Sequence, residues 1–307
     1  SWIGRGAMQP ALAVLILPLL ASADFTPDFH DWIKNTYGED VVRQLERKDL
    51  GPGGSFGGRA HVGERLKHHP VVFVHGVSDT AGQLMRKDAD HFIANGYSWS
   101  ELYATTYFNG AQGNPLKWTE YSMKCEYVKQ VRALIIAVRL YTGRAVDVIG
   151  FSLGVPVSRK AILGGVCVDT GEFLGGSLTR IVDTYVGVAG PNHGAAPQVG
   201  GVGIAGCALT VPTICNDVNG LWSGAICPRM SRYLTDINSY GAYEGRNIYT
   251  IYSTGDQIVG YLVCGQPTSR IDYQTGEKVF TNGLKHDDVF LTTFENQLRM
   301  VRDHVVI

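Results

Sequence analysis

The chain has 307 residues, enough for one sizeable domain or two small ones. Hydrophobic residues make up 45% and charged residues 18%, so a substantial core can be buried. A formal net charge of −1, with no run of basic residues, argues against binding nucleic acid or an anionic membrane by charge.

The N-terminus reads as a targeting segment. Ala11 to Leu20 is apolar throughout, and Ala21-Ser22-Ala23 follows as a small-x-small cleavage pattern. The apolar run is too short to span a bilayer. Residues 1–23 are therefore expected to form a secretory signal region, with translation starting at Met8 and the mature chain beginning near Asp24. Residues 24–68 form an N-terminal extension. Its first half is helical in pattern, with Trp32, Ile33, Val41, Val42 and Leu45 at one-face spacings. The Gly-rich run Gly51 to Gly58 lacks the Gly-Lys-Ser/Thr ending of a phosphate loop and reads as a flexible connector.

After Pro70 the texture changes. Val71 to Val74 is continuously apolar and β-branched, as suits a central strand buried on both faces. A helix is predicted over Thr80 to Ala94, a strand over Leu102 to Tyr107 and a long helix over Thr119 to Leu140. Further strands are predicted at Ala145 to Ile149, Ile181 to Val188, Asn247 to Tyr252 and Lys278 to Thr281. Helices are predicted near Val155 to Leu163 and Asp288 to Val301. This alternation implies an α/β fold, a mostly parallel sheet of about six strands flanked by helices. Residues 191–246 break the rhythm and read as an insertion folded over the sheet, lid-like in position. The GxGxxG match at Gly201 to Gly206 inside it follows no strand and has no acid about 20 residues on, so a dinucleotide site is rejected.

Six cysteines follow the leader: Cys125, Cys167, Cys207, Cys215, Cys227 and Cys264. In a secreted chain they imply disulfides, with at least one bridge among the clustered Cys207, Cys215 and Cys227; sequence leaves the pairing open. No Asn-x-Ser/Thr sequon is present.

The chemistry centres on Gly150-Phe151-Ser152-Leu153-Gly154. This GxSxG lies between a strand pattern and a helix pattern, the setting of a nucleophile elbow. A serine hydroxyl needs a base to attack a carbonyl. In this scaffold the acid follows a later strand and the histidine follows the last one. Asp256 comes off the strand ending at Tyr252 and is the candidate acid, ahead of Asp183 and Asp217. His286, in the loop after the last strand, is the candidate base, ahead of His304. Two amides must hold the oxyanion. Leu153, next to the nucleophile, and Val77, in the loop after the first sheet strand, are the candidates. His75 reads as structural.

The set HPVVFVHGVSD (His69 to Asp79), VIGFSLG (Val148 to Gly154), IYTIYSTGDQIVGYL (Ile248 to Leu262) and LKHDDVF (Leu284 to Phe290) resembles the class 2 triacylglycerol lipases, including their secreted nematode-type branch. The resemblance covers about residues 69–303, within a catalytic domain taken as 69–307. It implies the α/β-hydrolase fold, Ser152 as nucleophile, Asp256 as acid, His286 as base, and Val77 and Leu153 as oxyanion donors. It implies no cofactor and no metal. The partner it implies is a lipid or ester substrate, met transiently at a lipid–water interface. The insertion and the N-terminal extension depart from the minimal bacterial members and bear on lid behaviour and substrate. Ile204, Leu209, Val211, Ile214, Leu221, Trp222 and Ile226 suit either an acyl groove or a local disulfide-tied core. A short-chain esterase, a phospholipase or acyltransferase, or an inactive secreted binding protein are the other readings of this scaffold.

Overall fold

The computed structural model describes residues 24–307 except 78, 111–116, 118–119, 197, 200–201, 204–206, 208–212 and 225–228. The segment expected to be a signal region thus lies outside the described residues, as do Cys227 and the insertion residues Ile204, Leu209, Val211 and Ile226.

The main sheet has seven strands: β1 (Ser55–Phe56), β2 (Val71–Val74), β3 (Leu102–Thr105), β4 (Val146–Phe151), β5 (Val182–Val188), β6 (Asn247–Ser253) and β7 (Gly276–Phe280). Their order is β1-β3-β2-β4-β5-β6-β7. The six strands expected from the apolar runs all run parallel to one another. Strands β2 to β5 are buried along their whole length, which is why their sequences do not alternate with polar residues. Alternate side chains still face opposite layers. In β2, Val72 and Val74 join one core while Val71 and Phe73 join the other.

Helices cover both faces. One layer holds α1 (Pro27–Tyr37), α2 (Glu39–Glu46), α4 (Cys125–Thr142), α5 (Gly154–Leu163) and α6 (Arg232–Asn238). The other holds α3 (Arg86–Ala94), α7 (His286–Leu291) and α8 (Phe294–Asp303). This is the α/β-hydrolase fold, and among the described residues no helix is long and apolar enough to cross a membrane.

Several boundaries differ from the sequence expectation, each for a local reason. The seventh strand is β1, inside the run read as a flexible connector. Ser55 and Phe56 are buried and pair antiparallel with β3 at the sheet edge. The extension is likewise part of the core. Phe29 packs its ring 5.2 Å from Tyr103 and 4.7 Å from Tyr141, so no gap in packing separates residues 24–68 from the rest. The long helix α4 starts at Cys125, not Thr119. Lys124 is extended, the Cys125 amide donates to Asp169 Oδ2 at 3.0 Å, and Cys125 is bridged to Cys167. The helix after β2 opens with a π-turn, Ala81–Met85. The closing helix is two helices, broken at Thr292–Thr293, and His286 is the first residue of α7 rather than a loop residue ahead of it.

The described part of the insertion contributes to the core shared with α5. Cys207 and Cys215 are bridged, and both are buried with Leu221 in the core of the α5 layer. No described cysteine is free; Cys264 is also disulfide-bonded. Val202–Gly203, within the GxGxxG match, forms a short antiparallel ladder with Gln198–Val199. Its anchor is Arg159 of α5, fully buried. The guanidinium donates to Glu244 Oε1 (2.8 Å), Asn192 Oδ1 (3.1 Å), Asn238 Oδ1 (2.9 Å) and the Ile237 carbonyl (2.9 Å). One cation thus ties both ends of the insertion to the helix behind Ser152. Removing it leaves Glu244 as a buried, unpaired carboxylate. Arg159→Ala is expected to lose about 3–5 kcal/mol, read as a lowered urea midpoint; an unchanged midpoint would show that the network is not holding the insertion.

Candidate active site

Strand β4 runs straight into α5 through a turn with Ser152 at its apex. Ser152 has φ 51°, a left-handed conformation that a non-glycine residue adopts only under constraint. The constraint is visible on both sides. The Ser152 amide donates to the Val188 carbonyl on β5 at 2.9 Å. Gly154 packs so tightly that an added Cβ would lie 2.3 Å from the Val74 carbonyl oxygen and 2.4 Å from that of His75. At Gly150 the same atom would come no nearer than 3.0 Å, so this glycine is less stringently required.

The three side chains singled out in the sequence meet at the C-terminal edge of the sheet. His286 Nε2 lies 2.8 Å from Ser152 Oγ, and His286 Nδ1 lies 2.7 Å from Asp256 Oδ2. The carboxylate can only accept, so Nδ1 carries the proton and Nε2 presents its lone pair to the serine hydroxyl. Asp256 is fixed through its other oxygen, which accepts the amides of Ile258 and Val259, both at 2.9 Å. The His286 amide donates to Gln257 Oε1 at 3.0 Å, and the Phe151 ring lies 5.1 Å from the imidazole. All three groups are buried.

Val77 and Leu153 flank the serine. Neither of their amides donates to a carbonyl among the described residues. The loop carrying Val77 sits close because of Gly76, where an added Cβ would stand 2.8 Å from Ser152 Cβ. His75 holds this loop from behind. Its ring stacks on Tyr107 at 4.1 Å, its Nδ1 donates to the Gly76 carbonyl at 2.7 Å, and its Nε2 accepts the Tyr107 amide at 3.0 Å. Burial pushes the His75 imidazolium down to about 4, so the ring is neutral and structural at ordinary pH.

The rivals lie elsewhere. His304 Nε2 is 3.2 Å from Asp183 Oδ2, at the start of β5 and so at the opposite sheet edge. The Asp217 carbonyl accepts the amide of Arg232 within the insertion.

A cavity of about 340 Å³ opens on Ser152 and His286. Its walls are mainly apolar: Val77, Leu84, Phe151, Leu153, Pro191, Ala195, Ile258 and Val259. Ile214, Leu221 and the Cys207–Cys215 bridge of the insertion complete them. Trp222 lies instead under the Arg229 guanidinium, 5.7 Å from ring centroid to Cζ. Asp79, which sequence reasoning left without a role, also lines the cavity. Its Oδ1 accepts the Leu84 amide at 3.1 Å, while Oδ2 is buried with no hydrogen-bond partner among the described residues. Burial pushes this carboxyl up to about 7. No periodicity marks an acid turned inward from a loop, so only its place two residues past Val77 hinted at it.

A parallel sheet in this strand order, with a serine at the turn after a central strand and a carboxylate and a histidine after the last two, defines an α/β-hydrolase. The chain matches the class 2 lipase family over residues 68–299 and belongs to it. Among solved structures it is similar to Aspergillus fumigatus lipase B, with 14% identity and a TM-score of 0.52. That match covers 77% of this chain and 52% of the other, so this chain spans about half the length of that lipase. It is also similar to the mature form of Bacillus licheniformis lipase BlEst2, with 14% identity, a TM-score of 0.51, and coverage of 83% and 99%. No curated protein sequence matches it.

The buried Asp79 carries a pH signature. Its folded-state pKa lies above the unfolded value, so the folded state holds the extra proton between about pH 4 and 7. Its contribution to stability is therefore greatest at low pH and falls as pH rises through that window, by about 4 kcal/mol for a shift of about three units. Asp79→Asn cannot ionise. Urea stabilities of the two proteins are expected to diverge in favour of the variant from pH 4 to 8, whereas parallel curves would contradict the burial effect.

Proposed function

We propose that this protein is a secreted serine ester hydrolase, a triacylglycerol lipase of the secreted, nematode-type branch of its family. One observation carries the reading: an unbroken line of two short hydrogen bonds from Asp256 through His286 to Ser152, opening on an apolar cavity. The leader-like N-terminus and the disulfides support secretion.

In the proposed reaction, His286 Nε2 takes the Ser152 proton as Oγ attacks the ester carbonyl. Asp256 holds the imidazole in the required tautomer and stabilises the imidazolium. The amides of Val77 and Leu153 receive the developing oxyanion, each worth about 3 kcal/mol in the transition state. The tetrahedral intermediate collapses, His286 protonates the departing alcohol, and an acyl-serine remains. Water, deprotonated by the same histidine, then releases the carboxylic acid. The apolar walls suit an acyl chain, and the insertion's share in lining them supports a role for it in access.

A second reading, a short-chain carboxylesterase, is favoured by the size of the cavity, which sits near the low end of the roughly 300–1,000 Å³ typical of small-molecule sites. An acyl-chain-length profile separates the two: higher rates on emulsified long-chain triacylglycerol than on dissolved short esters are expected, and the reverse supports the esterase.

Ser152→Ala is expected to abolish ester cleavage and fluorophosphonate labelling while leaving the unfolding transition in place. Asp256→Asn should lower kcat by about 10⁴, because the wrong imidazole tautomer then faces the serine. Undiminished turnover in a folded Ser152→Ala protein would sink the assignment.

A further inference from the structure

The cavity beside Ser152 holds an acid that the proposed reaction does not use. Asp79 lines it together with Val77, Leu153 and His286. The residue is only 3% exposed and sits two positions past Val77, on the loop that follows β2. One carboxyl oxygen, Oδ1, is taken up by the Leu84 amide at 3.1 Å. The other, Oδ2, is buried with no hydrogen-bond partner among the described residues. Leaving a buried polar atom unsatisfied costs free energy, so its presence in a cavity wall calls for a physical reason.

The surroundings hold this acid in place and keep it neutral. The Ala81 amide donates to Thr106 Oγ1 at 2.8 Å, and Gly110 packs so closely that an added Cβ would stand 2.7 Å from the Asp79 carbonyl oxygen. Leu84 belongs to the π-turn Ala81–Met85, a rare geometry that concentrates at functional sites. The amides of Leu84 and Thr80 favour the ionised form, as does the exposed Lys87 of α3. Asp287 of α7, exposed and itself on the cavity wall, opposes it. His286 of α7 also faces the cavity, with Nδ1 committed to Asp256. Desolvation outweighs the favourable groups and pushes the Asp79 carboxyl up to about 7. A neutral carboxyl has a proton to donate, which a carboxylate lacks. Because Oδ1 accepts from Leu84, that proton belongs on Oδ2.

We infer that Asp79 is a third donor to the reacting ester, its Oδ2 hydroxyl hydrogen-bonding the carbonyl oxygen that the Val77 and Leu153 amides receive. Placement carries the inference. Val77 and Asp79 leave β2 on one loop and line one cavity with Ser152, and Oδ2 is a hydrogen-bonding site in that wall which the described residues leave unfilled. The bond strengthens as the carbonyl oxygen gains charge, so it favours the transition state over the bound ester. Asp79 keeps its proton throughout, and His286 alone moves one. Holding a carboxylic acid neutral in an apolar site, so that it can donate to an oxyanion, is an established solution in enzyme chemistry. Once Asp79 ionises, the donor is gone and a negative charge stands beside the developing oxyanion. Ester cleavage therefore falls as pH rises through that ionisation. This deepens the hydrolase reading and rests on it.

The test measures kcat/KM for dissolved p-nitrophenyl butyrate from pH 5 to 9, which reports the ionisations of the free enzyme. The rate of fluorophosphonate labelling over the same range is a second reading. The full chain is compared with Asp79→Asn and Asp79→Ala, each checked for folding by its urea midpoint. In the wild type the rate is expected to rise on the acid side as His286 becomes free to act as base, then to fall at least about tenfold between pH 7 and 9. Asp79→Asn keeps an N–H donor and cannot ionise. It should stay within about threefold of wild type at pH 6.5 and lose the alkaline fall. Asp79→Ala has no donor, and its kcat at pH 6.5 should drop about 10²–10³-fold with KM little changed. If the alanine variant does not fold, the asparagine profile decides. A wild-type rate that stays level from pH 7 to 9, an alkaline fall retained in Asp79→Asn, or wild-type kcat in folded Asp79→Ala would overturn the role of Asp79 and leave the hydrolase reading intact. Neither turnover nor labelling by the wild type at any pH would overturn both.

Discussion

The contact between Gly154 and the carbonyls of Val74 and His75 is the constraint on which the rest of the site depends. It lets α5 start directly against the end of β2, and that leaves Ser152 nowhere to go but the left-handed region, with its hydroxyl outward. The strain is local, but its support is not. The Ser152 amide is held by β5, the glycine meets β2, and Gly76 brings the next loop against the serine. Three parallel strands therefore over-determine one turn, which is how a disfavoured conformation persists in a folded protein.

Around that turn the molecule places polar groups where burial gives each a single role. His75 is kept neutral by desolvation and supplies one donor and one acceptor, both used to brace the loop carrying Val77. Asp256 spends one oxygen on two backbone amides and keeps the other for His286, so the imidazole is oriented before any substrate arrives. Preorganisation of this kind lets dipoles act on developing charge without rearranging in the reaction. Behind the elbow, Arg159 does for the insertion what these groups do for the site. A buried cation is tolerated because four acceptors surround it, and these tie Asn192 to Ile237, Asn238 and Glu244.

The two edges of the sheet have different characters. Strand C-termini gather the serine, the carboxylate, the histidine and an apolar cavity, as open parallel sheets generally do. Strand N-termini gather Asp147, Asp183, His69 and His304, with both imidazoles facing the Asp183 carboxylate. Asp183 and His304, weighed as rivals for the acid and the base, thus stand together at the wrong edge. Chain order made them plausible, and strand direction separates them from Ser152.

By itself the sequence determined what local rules control: the six parallel strands, because continuous β-branched apolar runs suit burial on both faces, and the elbow, because GxSxG between a strand and a helix leaves the chain few conformations. It also named Asp256 and His286 as the partners to seek, since their places after the last strands follow from topology. Tertiary structure alone decided the rest. Ser55 and Phe56 look like part of a glycine linker until β3 offers them an edge to pair with. Helix α4 begins late because a disulfide and a distant aspartate hold its first residue. Asp79 and Arg159 carry no pattern that betrays burial. In each case the deciding contact joins residues from separate parts of the chain, and periodicity, which reports only on neighbours, cannot carry that information.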